Sequence, residues 1–197
     1  MDDRQRERIA AELRTFEAEL GLPNEFLDRL VLEDDWSFVI KSHALIEATI
    51  THLLTTAVDA RLGGVFKRLE ISNTQVGKLV FAEALGLVGT TEGRFIRQFS
   101  ELRNKLVHDV RQVSFSFEAH LRSLDKNQSS AFAEAVAGFV DAGPPRDLFK
   151  SLFFQEPRVA IWTATMQILA RALAEAKRAK AMAVLKEMAT ADWGRTQ

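Results

Sequence analysis

Arg103, Asn104 and His108 are the residues of this chain whose types and spacing best suit chemistry. They close an apolar-periodic stretch, Phe95-Ile96-Arg97-Gln98-Phe99-Ser100-Glu101-Leu102, so an arginine, an amide and an imidazole stand at the end of an expected buried helix. Asn104 and His108 are four apart and share a helix face. Arg103 precedes His108 by five residues, about 140° round an ideal helix, but its long side chain can swing to the same pocket if the helix bends or ends there. A guanidinium holds a phosphate bidentately and stabilises charge that develops on it. A histidine transfers protons near neutral pH, and an asparagine can orient either group. Together they could cleave RNA with its own 2′-hydroxyl as nucleophile, without a metal. A structural reading stands beside this one: Arg103 paired with Glu101, Glu118 or Asp109, and His108 satisfying carbonyls at the helix end.

Other polar residues could serve the same place. Glu101 lies three residues before Asn104 and seven before His108, where it can orient the imidazole or neutralise Arg103. Lys41, His43 and Glu47 sit on an earlier, strongly apolar helix and need partners if buried. They can support the 103–108 motif from behind or simply satisfy one another. Arg94 and Arg97 can contact an RNA backbone or line a solvated face. His43, Glu47 and His52 lack the spacing of a metal site, and the chain has four histidines in all. No metal and no cofactor are expected. Gly86-Leu87-Val88-Gly89-Thr90-Thr91 has neither the lysine nor the spacing of a phosphate loop. Ser114 and Ser116 have no adjacent His–Asp arrangement that marks a serine nucleophile.

The elements that must position these groups read as helices. Residues 3–20 repeat Ile9, Leu13, Phe16 and Leu20 at spacings of three and four. Gly21-Leu22-Pro23-Asn24 stops that helix, and Asn24 can cap a short one through Leu32. Asp34 or Asp35 caps a long helix from Trp36 to about Ala60, with Phe38, Val39, Leu45, Ile46, Ile50, Leu53 and Leu54 as its core face. Ser72-Asn73-Thr74-Gln75 reads as a capping box for a helix ending at Leu85. Thr90 or Thr91 starts the motif helix, which ends near His108. Gln112–Phe117 alternates Val113, Phe115 and Phe117 and could be extended, but one short strand has no partner here. A helix over about 129–140 follows, broken by Gly143-Pro144-Pro145. Pro157 suits the first turn of a final helix through about Met188.

Length and composition bound the rest. A chain of 197 residues, 47% hydrophobic and 27% charged, can bury one core and is not disordered throughout. The expected fold class is all-α: one domain over 1–197, with N-terminal helices (1–33) packed on a core that includes the long last helix (34–188), and a tail (189–197). A net charge of -1 provides no global basic field for nucleic acid, though a local basic pocket can serve RNA. Without cysteine there is no disulfide, thiolate metal site or thiol catalysis. Met1–Arg8 is charged and has no apolar h-region, and no 18-residue uncharged apolar run occurs, so a soluble cytoplasmic protein without membrane contact is expected.

Glu101-Leu102-Arg103-Asn104-Lys105-Leu106-Val107-His108-Asp109 resembles the signature of the HEPN superfamily: an arginine, often followed by a polar residue such as asparagine, then four to six positions, then histidine. Four residues separate Arg103 from His108, and Asn104 follows the arginine. The resemblance implies a small α-helical bundle and a metal-independent endoribonuclease of the toxin–antitoxin, phage-defence or RNA-processing kind. It implies a homodimer in which two motifs form one composite site, with Arg103 on the phosphate, His108 transferring protons and Asn104 positioning one or the other. The helix Phe38–Glu47 is similar to the helix that packs against the motif helix in such proteins.

More broadly, the chain is similar to the mannitol operon repressor (MltR-like) family. Three blocks carry this likeness: the helix around Phe38–Leu54, Lys78-Leu79-Val80-Phe81-Ala82-Glu83-Ala84-Leu85-Gly86-Leu87-Val88 leading into the Arg–His helix, and the final helix after Pro157. It implies a non-catalytic transcriptional regulator acting through protein partners. Asn104 directly after the arginine is closer to the nuclease version; the near-neutral charge and whole-chain likeness are closer to the regulator. An antitoxin-like or regulatory protein is the expected partner.

Overall fold

The structure, a computed structural model, describes residues 7, 11, 14, 15 and 17–193, with the side chains at 187 and 189–193 left aside. Ile9, Leu13 and Phe16 of the expected first helix, and residues 194–197, lie outside the described residues. All regular structure among the described residues is helical. The helices are α1 (Phe26–Leu30), α2 (Asp35–Ala57), α3 (Gly63–Phe66), α4 (Lys78–Ala84), α5 (Thr90–Val107), α6 (Phe117–Ser123), α7 (Lys126–Ala137), α8 (Pro144–Gln155) and α9 (Pro157–Trp193). Two 3₁₀ turns, Ala60–Leu62 and Val110–Ser114, follow α2 and α5.

Helix α2 is the axis of the fold. Asp34 caps it by accepting the Ser37 N–H at 2.9 Å, and it packs against α9 on one side and α3, α4 and α5 on the others. Its Phe38, Val39, Ile46, Ile50, Leu53 and Leu54 are essentially fully buried. Phenylalanine fills much of the remaining core: Phe95 stacks on Phe99 at 5.3 Å between ring centroids, and Phe132 meets Phe153 edge-on at 5.0 Å. Each such ring contributes about 1.5–3 kcal/mol by leaving water; Phe95 and Phe99 hold α5 in the core, and Phe132 and Phe153 join α7 to α8.

Buried ions tie the chain ends to this core. Glu17 is buried, and its carboxylate accepts the N–H groups of Glu25 and Leu27, both at 2.9 Å. It therefore caps α1, whose own N-cap residue, Glu25, is in the left-handed region and makes no side-chain cap. Asp35 accepts the Phe117 N–H at 2.8 Å and Arg158 Nε at 2.9 Å, so the starts of α2, α6 and α9 meet at one carboxylate.

Several local expectations change. The 72–75 segment is capped by Asn73, whose Oδ1 accepts the N–H groups of Gln75 and Val76, and the helix starts only at Lys78. Gln112–Phe117 is not extended throughout: its first residues belong to the 3₁₀ turn Val110–Ser114, and Phe117 opens α6. Gly143-Pro144-Pro145 starts a helix, α8, because proline is tolerated in a first turn where the N–H is unpaired anyway. Helix α9 continues to Trp193, about 55 Å of helix.

Candidate functional site

Helix α5 places the motif. Phe95, Ile96, Phe99, Ser100, Leu102 and Leu106 form its buried face. Arg103 is half-buried beside them, and its Nη1 donates to Asn104 Oδ1 at 3.0 Å. The guanidinium is thus tied to the amide of its neighbour, and its charge also reaches the buried His43 on α2. It has no carboxylate partner among the described residues. Glu118 pairs with Arg122, Asp109 with Arg111 at 3.0 Å, and Glu101 is exposed without an ion pair. His108 ends the helix through its backbone N–H, which donates to Asn104 O at 3.2 Å. Its imidazole is exposed and hydrogen-bonds to no described residue. Neither of the structural roles that the spacing allowed, an Arg103 ion pair or a His108 ring on the helix-end carbonyls, is formed.

Behind Arg103 lies a buried polar layer. His43 Nε2 and Ser100 Oγ share a hydrogen bond at 3.0 Å, with the ring also against Phe99. Burial pushes the His43 imidazole down to about 4; the Arg103 cation adds to this, Glu47 opposes it, and Lys78 lowers it further. His43 is therefore neutral at pH 7. One turn along α2, Glu47 accepts Lys78 Nζ at 2.6 Å, and the Lys78 side chain is 3% exposed. Lys78 and Ser100 were not singled out by their sequence context. The available signal was Glu47 on an apolar helix, which demands a cation, and a lysine opening the apolar block 78–82.

The remaining candidates fall elsewhere. Lys41 is not brought to the motif: its Nζ donates to Glu33 at 2.5 Å on an exposed edge, because the carboxylate there is nearer than any buried partner. Arg97 pairs with Glu83, while Arg94 is exposed and makes no ion pair among the described residues. The two arginines border one shallow cleft with Thr90 and Val88. Among the described residues no three His, Asp or Glu side chains gather as a metal site, and no helix is long and apolar enough to cross a membrane.

Compared with protein-family models, curated proteins and solved structures, the chain gives no match in any of the three. The chemistry of the site therefore rests on its own geometry. Arginine carries five N–H donors, and Asn104 engages one of Arg103's. A cation without a counter-ion, oriented by a neutral amide and followed one turn later by an open imidazole, can hold an anion and move a proton beside it.

Proposed function

We propose that this protein is a HEPN-like, metal-independent endoribonuclease of the toxin or defence kind. The observation that carries the reading is the state of Arg103: half-buried, bound to Asn104 and without a carboxylate partner among the described residues. An arginine kept for stability would be expected to take one of the acidic neighbours. Arg103 grips the scissile phosphate. The RNA 2′-oxygen bonds to phosphorus, the bond to the 5′-oxygen breaks, and a 2′,3′-cyclic phosphate and a 5′-hydroxyl result. One imidazole takes the 2′-proton and another protonates the departing oxygen. A homodimer with two His108 side chains in one cleft supplies both. Val107, Val110 and Val113 flank His108 and are exposed, Val110 at 81% and Val113 at 62%, which suits a surface covered by a second copy.

The second reading is a non-catalytic MltR-like regulator that uses the same valines to bind a protein partner, with Arg103 and His108 as polar contacts. Incubation of the purified protein with single-stranded RNA and transfer RNA in chelator, beside His108→Ala, separates the two. Cleavage by the parent that the folded variant loses is expected. No cleavage by either protein favours the regulator.

A further inference from the structure

A cleft of about 210 Å³ opens on the motif helix, between α5, α6 and α7. Gln98, Glu101 and Lys105 of α5 line one wall, and His120, Gln128 and Phe132 line the others. Its volume is below the roughly 300–1,000 Å³ of sites that enclose drug-sized ligands, so it suits one ring system rather than a whole nucleotide. Glu101, Lys105 and His108 follow at spacings of four and three, which puts them on one helix face. His108 lies about 4.5 Å further along the axis than Lys105.

The charges in this cleft are unusual in being apart. Glu followed by Lys at four residues is the favoured orientation for a helix ion pair. Here Glu101 and Lys105 make no hydrogen bond or ion pair with any described residue, although other ions on this surface find partners, as Arg29 with Glu25 and Arg122 with Glu118 do. A carboxylate and an ammonium that do not pair, in a cleft also lined by His120 and Phe132, make a donor–acceptor pattern waiting for its complement. Gln98, which also borders the neighbouring cleft of Arg94 and Arg97, holds its carbonyl oxygen buried without a hydrogen-bond partner among the described residues.

We propose that this cleft is a subsite for a guanine base of single-stranded RNA, and this rests on the ribonuclease reading for the placement of the phosphodiester at His108. Guanine offers adjacent N1–H and N2–H donors to the Glu101 carboxylate and the O6 and N7 acceptors to Lys105. Adenine would turn its N1 lone pair toward the carboxylate. Uracil offers the carboxylate one donor, N3–H, with the O2 acceptor where guanine has its second donor, and cytosine turns its N3 lone pair toward it. The half-buried His120 ring supplies a flat surface of the kind on which proteins stack unpaired bases, and the buried Phe132 adds an apolar stretch of wall. His120 is held below its usual range by burial and then by Lys105, so a neutral ring faces the base.

The test uses five-nucleotide strands carrying 2′-O-methyl groups, which bind without being cleaved by 2′-attack. Fluorescence anisotropy compares a strand with one central guanine among uracils against the same strand with adenine. The parent is expected to prefer guanine by about tenfold or more, and Glu101→Gln or Lys105→Met to bring that ratio near one with an unchanged melting temperature. Equal affinity for both strands, binding to neither, or a preference that both variants retain would overturn the subsite. Cleavage of 2′-hydroxyl RNA is scored separately. Cleavage without guanine preference removes the subsite and leaves the nuclease. Guanine preference without cleavage keeps the subsite and removes the nuclease.

Discussion

Arg103 Nη1 donates to Asn104 Oδ1 at 3.0 Å, a bond between sequence neighbours on one helix that ties a half-buried guanidinium to the amide one turn before His108. On an ideal helix the two side chains diverge by about 100°, so the bond restricts where the guanidinium can sit. Asn104→Ala is expected to free Arg103 from that restraint. A misplacement of about 1 Å costs about a hundredfold in rate, so cleavage should fall by that order while the melting temperature moves little. Parallel losses of activity and stability would assign Asn104 to the fold.

The Glu47–Lys78 pair should respond asymmetrically. Lys78 is buried and Glu47 reaches solvent along part of its length. Glu47→Ala leaves a buried ammonium without a partner, which costs about 3–5 kcal/mol in other proteins. Lys78→Met leaves a carboxylate that water can reach, and fills the lysine's space with an unbranched chain. Urea unfolding should therefore rank Glu47→Ala as clearly the more damaging. Equal costs would mean that Lys78 is better hydrated than its burial indicates.

His43 makes stability depend on acid. Its folded-state pKa is lowered from 6.5 to about 4, so between these values the unfolded chain binds the extra proton and the folded one does not. Stability contributed by the neutral ring is full above pH 6.5 and is lost as pH falls toward 4, up to about 3 kcal/mol. The groups facing it are Arg103 and Lys78, which favour the neutral form, and Glu47, which favours the charged one. His43→Gln keeps a partner for Ser100 and cannot titrate. The difference between parent and variant stabilities should slope between pH 6.5 and 4 and flatten above; a flat difference throughout contradicts the assignment.

Two glycines offer a paired test of close packing. Gly77 has φ of −75°, which any residue adopts, but a Cβ there would stand 2.8 Å from Asn73 N and 2.9 Å from Glu70 O. Those are backbone atoms and cannot step aside, so Gly77→Ala should cost about 1–3 kcal/mol. A Cβ at Gly64, in α3, meets nothing within 4 Å. Gly64→Ala should be neutral or stabilise by up to about 1 kcal/mol. Thermal melts of the two variants settle the order.

Where local signals were strong, the sequence foretold the elements. Asp34 before an apolar-periodic run marks α2, and Pro157 marks the first turn of α9. Alternation at Val113, Phe115 and Phe117 allowed an extended segment but offered it no partner strand; the N–H of Phe117 goes instead to Asp35, eighty-two residues away. No local pattern records such a contact. Asn73 displaced Ser72 as the cap for a similar reason: the 70–77 turn is fixed by Lys78 N–H donating to Glu70 O, at 3.1 Å. At the site, Arg103, Asn104 and His108 stood out by type and spacing. Lys78 and Ser100 did not, since a lone lysine opening a helix and a serine inside one are commonplace until a buried carboxylate and imidazole are seen opposite them.

The end groups of RNA cleaved by the parent protein in chelator, with His108→Ala alongside, test the central claim most directly. The account predicts 2′,3′-cyclic phosphate and 5′-hydroxyl ends, and a rate about 10²–10⁴-fold lower for the variant. No cleavage by the folded parent, 3′-hydroxyl ends, or an equal rate in His108→Ala would contradict it.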